Sequence, residues 1–112
     1  MISGTSEYPL PDKKLALRHD LFDDDALLLG KVGHSVELKN GAGTVLQVDF
    51  PQMDYVSFWH NPKTDAPFLC IQPWCSIPAF EGEKTVFEGR KDLLSLKPGK
   101  VYENTWSVTV KI

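Results

Sequence analysis

Residues 101–112 read VYENTWSVTVKI. Laid out as a pleated strand, they put Val101, Glu103, Thr105, Ser107, Thr109 and Lys111 on one face. Tyr102, Trp106, Val108, Val110 and Ile112 fall on the other, with Asn104 the exception. Side chains two apart share a face only in extended backbone, so this alternation identifies a β-strand rather than a helix. The expectation is one wet face and one buried face, as in antiparallel sheets packed on one side. Trp106 is then expected in the core.

Working back along the chain, short apolar runs of the same kind recur. They are LALR at 15–18, DALLL at 25–29, HSVELK at 34–39, TVLQVDF at 44–50, YVSFWH at 55–60, FLCIQ at 68–72 and DLLSLK at 92–97. Turn chemistry separates them. NGAG at 40–43 is a hairpin loop, because Asn and Gly accept positive φ at little cost. KPGK at 97–100 is a turn in which Pro presets φ and Gly follows. NPKTDAP at 61–67 is a polar loop, and EGEKTVFEGRK at 81–91 is an exposed excursion. LRHDLFDDDALLL could start a helix, but three Asp followed by a solid apolar run fit a turn into a buried strand better. The predicted fold is all-β, an antiparallel β-sandwich of about eight strands, with residues 1–14 as an extended N-terminal segment and 15–112 as a single domain.

Composition limits the function classes. The 112 residues are 42% hydrophobic and 24% charged, ordinary for a folded globular chain. Twelve Lys and Arg against fifteen Asp and Glu give a net charge of −3, which does not build the basic stripe that nucleic acid requires. No apolar run approaches the roughly 20 residues of a membrane span. The N-terminal MISGTSEYPLPDKK lacks the layout of a signal peptide. Two cysteines do not make a disulfide framework, so a cytoplasmic location with free thiols is expected. C-x4-C lies at the edge of zinc spacing, but no second pair exists, and Cys70 and Cys75 read as buried small hydrophobes.

One residue breaks the pattern. PFLCIQPWCSI at 67–77 sets Gln72 inside an apolar run. It reads either as an inward amide satisfied by backbone groups or as a group facing a ligand.

The order of motifs then matters more than any one of them. HDLFDDDALLL, HSVELKN, VDFPQMDYVSFWHNP, APFLCIQPW and LSLKPGKVYENTWSVTV together resemble the C-terminal part of the aldose 1-epimerase (galactose mutarotase) family, nearest its bacterial LacX-like branch. The resemblance runs from Leu17 onward. It implies part of a galactose mutarotase-like β-supersandwich with a sugar cleft on one sheet, acting on an aldose such as galactose or glucose. It implies interconversion of α and β anomers by a Glu base and a His acid, with no metal or organic cofactor. The family's His acid and a sugar-binding Arg belong to a preceding part that these 112 residues do not include.

In the branch resembled, the base lies in a strand reading cysteine–isoleucine–glutamate–proline–tryptophan. Here the stretch is CIQPW, so Gln72 falls on the base position. An amide is nearly isosteric with the carboxylate and can hydrogen-bond a hydroxyl, but it cannot take up a proton as a base. Asp25 matches the family's sugar-binding Asp and reads equally as an exposed turn carboxylate; Asp23 and Asp24 are expected to be solvated. Trp59 and Trp74 are candidates for stacking on a sugar, Trp74 with the better claim, against the plainer reading of core aromatics. His60 borders the same region as a ligand contact or a substitute acid, although a half-exposed loop histidine is the simpler reading. His19 and His34 read as structural or solvated. A sandwich lacking its other half leaves edges and apolar surface uncovered, so a homodimer or a partner supplying that half is expected. The alternative to a sugar-binding, mutarotase-like role is a non-catalytic sensing or assembly module.

Overall fold

The structure is a computed structural model that describes residues 2–83 and 86–112. The Lys84–Thr85 part of the 81–91 excursion therefore lies outside the described residues. The fold is all-β. Among the described residues six strands form two three-stranded antiparallel sheets: β1 Leu27–Gly30, β2 Ser35–Lys39, β3 Val45–Asp49, β4 Tyr55–Trp59, β5 Cys70–Trp74 and β6 Ser107–Lys111. The first sheet has the order β1-β4-β5 and the second β2-β3-β6. The chain crosses between sheets after β1, β3 and β5. Among the described residues the only helical pieces are 3-10 turns at Pro11–Lys13, His19–Phe22 and Phe87–Gly89.

Register follows from the alternation. Val36 opposes Val48 and Leu38 opposes Leu46, while Val48 and Leu46 meet Val108 and Val110 of β6. All six therefore share the sheet face turned toward the first sheet. In that first sheet Leu27 opposes Phe58 and Leu29 opposes Val56, and β5 brings Ile71 and Pro73 to the same face. Leu29, Val48, Phe50, Met53 and Val56 form the buried cluster, with Leu27, Val36, Phe58 and Ile71 packed against it. Burying each such side chain contributes about 1.5–3 kcal/mol. The NGAG turn forms as its chemistry dictates: Asn40 Oδ1 accepts from the backbone N–H of Ala42 and Thr44 at 3.0 and 2.9 Å, and Gly43 takes φ 90°. Near the N-terminus Ile2 exchanges backbone hydrogen bonds with Ala79 and Glu81, and a 3-10 turn follows at Pro11–Lys13.

Three expectations fail. LALR at 15–18 forms no strand; it has no pairing partner among the described residues and leads into the His19–Phe22 turn, whose Phe22 is buried. DLLSLK at 92–97 is irregular, because its entry is fixed by side chains instead of a ladder. Asp92 accepts from the Ile77 N–H and from the Arg90 guanidinium, which in turn donates to the Ile77 carbonyl. The largest departure is the final strand: only Ser107–Lys111 is paired, and every residue of it is exposed. Trp106 is 60% exposed and is not core. The first sheet stops at β5, and the described residues leave β6 uncovered.

Candidate functional site

The pleat of β5 answers the question that Gln72 raises. Ile71 and Pro73 point to the core, so Cys70, Gln72 and Trp74 point to the opposite, outer face of the first sheet. Proline is tolerated here because β5 is an edge strand and its missing N–H breaks no second ladder. Across the sheet, Gln72 opposes Ser57 of β4, and Ser57 opposes Leu28 of β1. One row further along, Trp74 opposes Tyr55, which opposes Gly30. On the other side Trp59 opposes Cys70. A polar row, Ser57 and Gln72, thus lies between two aromatic rows on one face.

Details of packing set this face. A Cβ on Gly30 would stand 3.2 Å from the Tyr55 ring, so the glycine leaves room for that ring to lie across β1. Trp59 meets Phe68 at a centroid distance of 6.1 Å. Ser57 is buried at 1% exposure, whereas Gln72 is half-buried and its side chain bonds to no described residue. The amide keeps its donors and acceptor available, and the reading of it as an inward group satisfied by the backbone does not hold. Neither the apolar groove between the sheets nor the hollow beside Tyr8 and Leu21 is lined by Gln72. The face is a shallow platform that is accessible at Gln72 and closed at Ser57.

Asp25 lies two residues before β1, at the end of the sheet where Trp59 sits. Its Oδ1 accepts from the Ala26 N–H at 2.7 Å, and the residue is exposed, as a turn carboxylate would be. Asp23 is not merely solvated: it accepts from the Lys63 N–H at 2.9 Å and ties the 61–67 loop to the start of the first sheet. His60 departs furthest from expectation. It is 4% exposed, its Nδ1–H donates to the Asn61 carbonyl at 2.7 Å, and its Nε2 has no partner among the described residues. Phe22, His19 and Phe68 surround the ring edge-on. It supports the loop from beneath and does not join the Gln72 row.

Cys70 and Cys75 are free and half-buried, not sealed. Five residue steps of near-extended chain separate them by roughly 16 Å, beyond disulfide reach. Among the described residues, no group of three or more His, Cys, Asp or Glu could hold a metal ion. No helix there is long and apolar enough to cross a membrane.

Sequence reasoning named Gln72, Trp59 and Trp74 on this face but passed over Ser57 and Tyr55. Their signal was present, since alternation in YVSFW puts Tyr55, Ser57 and Trp59 together; register was the missing information. Comparison with protein families, curated proteins and solved structures finds no match to this chain.

Proposed function

We propose that this chain is an aldose 1-epimerase-like carbohydrate-binding protein of the cytoplasm, whose contact surface is the outer face of the first sheet. The observation that carries the reading is the accessible Gln72 amide, paired across the sheet with the buried Ser57 and flanked by Tyr55 and Trp74 on one side and Trp59 on the other. Sugars present hydroxyls at the rim of a ring and C–H groups on its faces. An accessible amide between aromatic side chains suits that pattern. Asp25 supplies an exposed acceptor near the Trp59 end. An aldose such as galactose or glucose is the intended ligand, and the binding calls for no metal or organic cofactor.

Anomer interconversion needs a group that takes the proton from the anomeric hydroxyl. Gln72 has no such capacity, so the proposal is binding with little or no turnover by these residues. His60 does not substitute as the acid, because its free nitrogen is sealed away from the platform.

The test is titration with galactose and glucose while following the indole N–H signals of Trp59 and Trp74 by NMR. Both should shift together with the Gln72 side-chain amide, and Trp74→Ala should weaken binding about 2- to 10-fold. Shifts confined to residues of the inter-sheet groove would reject this surface. A second reading, a non-catalytic assembly module, draws on a different observation: the groove of about 370 Å³ lined by apolar residues of both sheets. Self-association with no sugar-dependent shift would favour it.

A further inference from the structure

We propose that two copies of this chain pair through the free edge of β6, antiparallel about a twofold axis at Thr109, joining their second sheets into one six-stranded sheet. The inference does not depend on the sugar reading.

It starts from area. The chain exposes 8835 Å². A compact 12.6 kDa monomer exposes roughly 6,200 Å². The radius of gyration, 16.3 Å, likewise exceeds the about 13 Å of a compact chain near this length. A standard interface takes about 800 Å² from each partner, well within that surplus.

The surplus includes apolar surface at a defined place. The inter-sheet groove is lined by Leu46, Val48, Ile71, Pro73, Trp106 and Val108 among others, and it opens between the edges β5 and β6. Of these two edges, β5 is blunted by Pro73. β6 has no proline, and its first four residues carry no charge. The apolar side chains of β6 and of the residues on either side of it are open: Trp106 60%, Val108 49%, Val110 61% and Ile112 110% exposed. An edge of this kind is a template for strand addition.

The sequence of β6 is complementary to itself. A twofold at Thr109 sets Val108 against Val110 of the second copy, and Trp106 against Ile112. Ser107 meets Lys111, so no like charges oppose. Every apolar side chain stays on the groove side, where Trp106 covers the exposed Ile112, and Ser107, Thr109 and Lys111 stay on the wet side. The arrangement is isologous and closed, so it stops at a dimer. Gln72 faces away from the second sheet, so both platforms remain open in it.

The test is sedimentation velocity of the whole chain at micromolar concentration, with two double variants. Val108 and Val110 are already solvent-exposed, so neither pair of changes removes core packing. Val108→Lys with Val110→Lys sets like charges opposite each other twice across the twofold. Val108→Asp with Val110→Lys sets opposite charges there instead. The expected result is a dimer for the unmodified chain and for the Asp/Lys variant. The Lys/Lys variant should dimerise about tenfold or more weakly than the Asp/Lys variant. A monomeric unmodified chain overturns the proposal. Equal behaviour of the two variants, both dimeric or both monomeric, overturns the pairing register.

Discussion

β4 and β6 look alike in sequence and differ in their surroundings. YVSFW and SVTVK are each five residues long, each paired in antiparallel register and each rich in β-branched or aromatic side chains. In β4, Val56 and Ser57 are buried and the flanking residues are half-buried; in β6 all five are exposed. The first lies between β1 and β5 with the second sheet beneath it. The second is an edge whose apolar face the described residues leave uncovered. Alternation therefore reports that a strand forms and which side is apolar, while burial depends on what the rest of the chain places opposite.

That contrast can be broken most strongly in the core. Phe50→Ala removes a side chain at 0% exposure and should cost about 3–5 kcal/mol of unfolding free energy, measured by urea denaturation. Val110→Ala in β6, at 61% exposure, should change stability by less than about 0.5 kcal/mol at concentrations where the chain is monomeric. A comparable loss from both would mean that β6 is covered after all.

A second prediction sharpens the difference between the two faces of β5. Ile71→Ala, on the core side, should destabilise the chain by about 2 kcal/mol or more, with little direct effect on sugar contact in the folded fraction. Gln72→Glu on the outer side should leave the unfolding midpoint nearly unchanged, because the amide bonds to none of the described residues. The opposite ranking of midpoints would place Gln72 among the structural groups.

Smaller still is the effect expected at Gly30. An alanine Cβ there would crowd the Tyr55 ring at 3.2 Å, so the ring must give way. Stability should change by less than about 1 kcal/mol, while the Tyr55 ring signals move in the NMR spectrum. A larger loss would indicate that Tyr55 is fixed more tightly than its half-exposed position suggests.

The smallest effect is electrostatic. The Arg90 guanidinium, followed by the Ile77 N–H, holds the Asp92 carboxyl below its usual range. A depressed carboxyl pKa adds stability that is fully present above the unfolded value, near 3.9, and is lost as pH falls through the lower folded value. Unfolding midpoints measured from pH 5 down to pH 2 should fall less steeply for Asp92→Asn than for the unmodified chain. Equal slopes would show the pair to be inert. Similar reasoning applies to Asp49, lowered first by its hydrogen bond from Gln47.

Much of the fold was legible because its signals were local. The NGAG turn and the alternation on both sides of it fix β2 and β3, and YVSFWH and FLCIQ foretell β4 and β5 to within two residues. What was not legible depended on partners distant in sequence. LALR and DLLSLK carry strand-like runs, yet no strand lies beside them, and Arg90 with Asp92 holds the second by side chains. His60 looked like a loop residue, but Phe22, reached through a turn about forty positions earlier, closes over it. In the site, the outward direction of Gln72 needed only the period of two, once Ile71 was known to face the core. The row it forms with Ser57 needed the register of β4 against β5, which no local motif encodes.

The most direct test of the proposed function is NMR of anomeric exchange in galactose and glucose with the unmodified chain. The account predicts that the sugar signals broaden on addition of protein while α and β anomers interconvert no faster than in buffer. Exchange above the buffer rate would contradict it, since a working base would then exist where Gln72 provides none.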